Sequence, residues 1–139
     1  MALNFATREE VATGIVNAIS TVSSLQLVER QHQEITDDIT YPVAYVNEVR
    51  EERTRLLKDV IKVDAQFAIV VAGKSDDGSD MSTILNSLVA SVSAALLSDL
   101  TLGGKVYNLR VTAIDTDEGF LAPYCVGVMT VRVEYYSQA

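Results

Sequence analysis

The chain has no tryptophan, one cysteine, one histidine, two prolines and seven glycines in 139 residues, and each scarcity excludes something. Cys125 cannot form an internal disulfide, and its setting "PYCVGV" reads as a strand position filled by a small hydrophobe. Nothing near it in sequence would lower its pKa, so a reactive thiol is not expected. His32 lies in the polar stretch "RQHQE"; a metal site or a Ser-His-Asp arrangement would rest on that unsupported residue, and a surface histidine is the expectation. So little proline and glycine excludes a fibrous or disordered chain. The apolar run "FAIVVAG" is far short of the roughly 20 residues that cross a bilayer, and "MALNFATREEV" lacks a basic segment leading into an apolar one. The expectation is a soluble protein, intracellular at synthesis, with no signal peptide and no membrane partner. Basic residues are also scarce: 11 Lys and Arg stand against 19 Asp and Glu, for a net charge of −8. Tight wrapping of nucleic acid rests on clustered cations and is disfavoured. An acidic wall past which DNA slides, repelled rather than gripped, is compatible with this charge.

What is present is a core. At 48% hydrophobic the chain fits one domain over residues 1–139. Thr7 and Glu10 form a capping box, after which Val11, Ile15, Ala18, Ile19 and Val22 share a face, predicting a helix from about Arg8 to Val22. "SLQLVERQ" reads as a short strand and "YPVAYVNEVREE" as a second. The strongest strand is Val60 to Val71, with Ile61, Val63, Ala65, Phe67, Ile69 and Val71 on one face and Lys62, Asp64 and Gln66 on the other. Ser79 or Asp80 caps a second helix, whose stripe is Met81, Ile84, Leu85, Leu88, Val92, Ala95 and Leu96; small residues elsewhere suggest burial on more than one side. Tyr107, Leu109, Val111 and Ala113 alternate with polar residues, and Cys125, Met129, Val131, Val133 and Tyr135 do the same after an acidic turn, so the last two strands form a hairpin. The fold expected is α+β in the order α-β-β-β-α-β-β: an antiparallel or mixed sheet of about five strands with both helices on one face.

Candidate chemistry fares poorly. Gly73-Lys74-Ser75 follows a strand as in a phosphate-binding loop, but Ala68 stands where the first glycine belongs and "DDGSD" places carboxylates in the way. Gly103-Gly104-Lys105 follows a helix and precedes a strand, the reverse of the order that aims a helix N-terminus at an anion. Asp76, Asp77 and Asp80 lack the ligand register of a calcium loop. Asp115, Asp117 and Glu118 sit at a hairpin tip, where acid-base catalysis would find no cleft. By elimination no cofactor, no metal and no enzyme activity is expected. The unusual stretch is "NEVREERTRLLKD", with Arg50, Glu51, Glu52, Arg53, Arg55 and Lys58. It reads either as a solvated hairpin end, or a helical turn pairing Glu51 with Arg55, or as a protruding arm that meets a neighbouring subunit.

The corner Asp99, Thr101, Leu102, Gly103, Gly104 and Val106, with the ending Val131, Val133, Tyr135 and Tyr136, resembles the tail terminator (tail completion, minor tail protein U-like) proteins of tailed bacteriophages. The resemblance lies chiefly in the C-terminal third, with the element order agreeing over the rest. It implies a virion protein, assembled in the host cytoplasm, that forms a ring, commonly a hexamer. Such a ring caps the tail tube, stops its polymerisation and docks a head-side connector or stopper around an axial DNA channel without binding DNA specifically. A head-completion or neck connector protein, or a small ligand-binding or enzymatic domain, are the other readings. The glycines themselves are expected to end the second helix in positive φ, with Leu102 tucked against that helix.

Overall fold

The computed structural model describes residues 4–31, 35–36, 38–75 and 80–138. Thr7 caps α1 (Arg8–Ile19) through the expected capping box, its hydroxyl accepting from the Glu10 amide while the Glu10 carboxylate accepts from the Thr7 amide. The helix stops before Val22 because the Ser20 and Thr21 hydroxyls donate to the Val16 and Ala18 carbonyls, competing for the acceptors of a further turn. Then follow β1 (Leu27–Arg30), β2 (Val43–Leu57), β3 (Val60–Lys74), α2 (Met81–Leu97), β4 (Asn108–Thr116) and β5 (Tyr124–Gln138), the expected order of elements.

The sheet runs β1-β2-β3-β5-β4. Only β1 is parallel to its neighbour, through Leu27 to Val43 and Arg30 to Val46; all other pairings are antiparallel, so the sheet is mixed. Both helices cover one face, where Val11 and Ile15 of α1 and Leu88 and Val92 of α2 meet Val63, Phe67, Ile69, Met129 and Val131. Four residues of the predicted α2 stripe, Leu85, Leu88, Val92 and Leu96, are the buried ones, while Ser82, Asn86 and Ala90 face outward. The small residues of α2 therefore mark a solvent face and not a second buried side.

The opposite sheet face is wet along Lys62, Asp64 and Gln66, as the alternation required, but only over part of its length. At the other end Val43, Tyr45, Val70, Ala72 and Val126 form a second cluster, closed by Ile35, Ile39 and Tyr41. In β4 a bulge between Val111 and Ala113 shifts the phase: Val111 lies beside Val131, but Ala113 pairs with Thr130 and Ile114 with Met129. Ala113 is accordingly exposed instead of buried. Tyr107 also departs from the predicted alternation, lying before β4 and stacking on Tyr136 with ring centroids 4.8 Å apart.

Candidate functional site

The charged segment Arg50 to Lys58 is the outer half of β2, turning into β3 at Lys58 and Asp59. It forms no helical turn, so the Glu51–Arg55 pairing of that reading is absent. Nor is it a free-standing arm, because β3 pairs with it from Arg50–Gln66 to Leu57–Val60, and β5 flanks β3 as far as Gln138. The short β1 covers Val43 to Val46 and the Gln31 amide caps Val46, so that among the described residues Glu48 to Leu57 has no strand paired on its other side. Such an edge invites indiscriminate pairing unless guarded. Here a bulge at Val49 and interspersed Arg and Glu supply the guard.

The bulge also sets which charges point where. Glu51 and Arg53 share the helix face with their partners Ala65 and Val63, whereas Arg50 and Glu52 share the wet face with Gln66 and Asp64. Glu51, largely buried, accepts from Arg8 at the start of α1 and from Arg53, and receives the Tyr135 hydroxyl at 3.4 Å. Burial alone would raise its pKa, but the bonds and charges of Arg8 and Arg53 more than offset this and hold the carboxyl below its ordinary value. Burial first, and then the Glu51 charge, push the Tyr135 phenol up to about 12, so it remains a donor. Arg50 pairs with Glu52 at 2.8 Å on the exposed side. Arg55 and Lys58 have no ion-pair partner among the described residues. Thus Glu51 ties the edge strand to α1, whereas Arg55 and Lys58 remain available to another surface.

Because the Glu51 carboxyl is depressed in the folded state, its contribution is complete above the ordinary carboxylate value of 4.5 and is lost as pH falls through the lower folded value. Glu51→Gln should cost about 1 kcal/mol at pH 7. Urea unfolding from pH 7 to pH 3 should show wild type and variant converging at the acid end; a gap independent of pH would mean that the charge of Glu51 is not what stabilises.

The acidic tip is at the opposite end of the sheet and is not one cluster. Asp115 pairs with Val128 on the wet face, whereas Thr116, Asp117 and Glu118 line a groove beside α2. Asp117 accepts from the Leu121 and Val126 amides, closing the β4–β5 loop. Glu118 is exposed, at φ 55°, with Phe120 and Leu121 protruding next to it. The groove, about 310 Å³, has Met81 and Leu85 in its floor.

The corner is built by Asp99. Its carboxylate accepts from the Thr101 amide and hydroxyl and from the Gly103 amide, which holds it below its usual pKa, the Thr101 hydroxyl contributing most. Leu102, Gly103 and Gly104 all have positive φ, at 49°, 73° and 90°. They do not end α2, however. The helix has already stopped at Leu97, with a right-handed Ser98 donating its amide to Ala94. Leu102 is buried in the cluster that also holds Leu96 of α2, and it reaches α1, where a Cβ on Gly14 would lie 3.4 Å from its own Cβ. The corner therefore pins the α2–β4 connection onto the first helix.

The phosphate-loop candidate dissolves in the same way. Gly73 and Lys74 lie inside β3, paired with Cys125 and Tyr124, and the Lys74 ammonium stands 5.7 Å from the Tyr124 ring centre. Buried Ser75 donates to the Asp80 carboxylate at 2.5 Å. Asp80 is the N-cap of α2 by position but makes no side-chain cap bond. Asp76, Asp77, Ser79 and His32 lie outside the described residues. Among the described residues no group of His, Cys, Asp and Glu is arranged to hold a metal ion. Cys125 is buried, and that burial raises its thiol pKa. No helix among the described residues is long and apolar enough to cross a membrane.

Sequence reasoning missed the Glu134 network. On the wet face this carboxylate accepts from the Tyr107 hydroxyl at 3.0 Å and the Asn108 amide at 3.1 Å, with Arg110 at 3.4 Å and Lys62 at 3.7 Å. Its pKa is lowered, the Asn108 bond acting most strongly among the causes. The network joins three strands across the sheet, and only the strand order brings its members together.

No protein-family model and no curated protein matches the chain. Among solved structures, a chain from the "Virion of native gene transfer agent (GTA) particle" is similar at 11% identity and a TM-score of 0.40, over 88% of this chain and 84% of that chain. At that level the likeness carries no argument about role, and the surfaces described above must bear it.

Proposed function

We propose that the chain is a structural virion protein, one tail-terminator-like unit over residues 1–139. In this reading copies join in a ring, with six as the expected number, that caps a phage tail tube, halts its growth and presents a surface to a head-side connector. The observation that carries this reading is the β2 edge from Glu48 to Leu57, which has no strand beside it among the described residues and whose cations Arg55 and Lys58 have no ion-pair partner among them. An edge of that length is a liability in a solitary domain and a contact in an assembly. The sequence resemblance at Asp99 to Val106 supports the choice of assembly, since those residues form a corner with no catalytic geometry. The net charge of −8 per copy suits an axial channel that must release phosphate. Termination follows from symmetry: a ring whose upper face no longer matches the tube subunit cannot be extended by it.

Light scattering after size-exclusion chromatography, with negative-stain imaging, tests this. Rings with an open centre that bind the ends of purified tail tubes are the expected result. A strict monomer with no affinity for tubes would overturn it, and rings that bind the connector but never the tube would make the protein a neck component.

A further inference from the structure

The two surfaces left unused by the fold are complementary. At one end, the β2–β3 tip exposes Leu56 and Leu57, at 48% and 67%, between Arg55 and Lys58. At the other, the groove has an apolar floor of Met81 and Leu85 and an acidic edge at Glu118, and Phe120, two residues further along the β4–β5 loop, is exposed at 86%. One surface is apolar and basic, and the other is apolar and acidic.

Within one molecule they cannot meet. The tip adjoins the Val60–Gln138 end of the sheet and the groove the Lys74–Tyr124 end, the full length of β5 apart. At about 3.3 Å per residue that is roughly 45 Å. An apolar tip whose cations have no ion-pair partner among the described residues, facing away from its own complement, has a second copy as its natural occupant.

We propose that the β2–β3 tip of one copy seats in the groove beneath the β4–β5 loop of the next, Leu57 against the Met81 and Leu85 floor, with Arg55 and Lys58 beside Glu118. The contact uses two different patches, so it is head-to-tail and each copy has one of each to offer. Such a contact closes into a ring when the rotation between copies allows and otherwise runs on as a filament. The burial of Leu57 supplies the attraction, while the opposite charges select the partner and speed encounter. This deepens the ring reading above and rests on it.

The test reverses charge at each end separately and then together. Arg55→Glu with Lys58→Glu, and Glu118→Lys with Ser82→Lys, alter exposed positions, and unchanged thermal unfolding of each monomer verifies that. Each pair alone should raise the protein concentration needed for assembly at least tenfold in low salt, and the combined variant should recover most of that loss. As a geometric check independent of those variants, Leu57→Cys with Ser82→Cys should give a disulfide-linked ladder under mild oxidation, since the two positions are too far apart to join within one chain. Wild-type assembly that neither reversal disturbs, or an absent ladder from assembled protein, overturns the tip-in-groove contact and leaves the ring standing. Wild-type protein that never associates overturns both.

Discussion

Phe67→Ala is expected to destabilise the protein by about 3–5 kcal/mol, the range for emptying a buried aromatic site. Phe67 is 2% exposed in the middle of β3, between Glu48 of β2 and Val131 of β5, on the face that both helices cover. Its ring belongs to the cluster that includes Ile15 of α1 and Val92 of α2, so the cavity would open where the layers meet. Domains of this size are stable by only about 5–15 kcal/mol, which makes this loss a large share of the total. Chemical denaturation should show the midpoint falling sharply, with Phe67→Leu losing well under half as much because most of the volume is retained. A loss below about 1 kcal/mol for the alanine variant would mean that this part of the sheet is not the packed centre described here.

Gly73→Val should be nearly as damaging for the opposite reason. A Cβ at Gly73 would lie 2.9 Å from Cγ2 of Ile84, 3.1 Å from Sγ of Cys125 and 3.1 Å from Cδ1 of Leu88. No single side chain can swing away to relieve all three contacts, so α2 would have to lift from β3. Overpacking of this kind costs about 1–3 kcal/mol, and the two further methyls of valine place this variant at the upper end. Gly127→Ala is the milder companion, its nearest neighbour being Cδ1 of Leu85 at 3.2 Å. Thermal unfolding of the two variants should rank Gly73→Val clearly below Gly127→Ala. Wild-type stability for Gly73→Val would refute the close approach of helix and strand, and with it the account of Gly73 as a packing residue rather than half of a phosphate loop.

How much was legible beforehand follows the range of the forces involved. The Thr7–Glu10 capping box, the α2 stripe and the alternation through β3 and β5 were readable because each expresses contacts within a few residues or the period of its own element. The final strand shows this well: Cys125, Met129, Val131, Val133 and Tyr135 are all buried, as alternation required. β4 shows the limit, because its bulge near Thr112 re-aims Ala113 and Ile114 and has no counterpart in the local pattern. The glycine corner was located correctly but given the wrong task. Positive φ is a local property of Gly103 and Gly104, whereas Leu102 docking on Gly14 depends on where α1 lies.

The candidate surfaces divide along the same line. That Arg50 to Lys58 is charged and Asp115 to Glu118 acidic is written in the residue order. That Glu51 is held by Arg8 and Tyr135 is decided by contacts across most of the chain. The separation of Asp115 from Asp117 and Glu118 onto opposite sides depends on the β4–β5 register. The sequence by itself therefore determined the type and order of the elements and, outside β4, their buried face, because hydrophobic periodicity and caps act locally. Only the tertiary structure decided which strand edge stays open and which charges remain unspent, because those depend on strand order and on the short reach of β1, which no local pattern encodes.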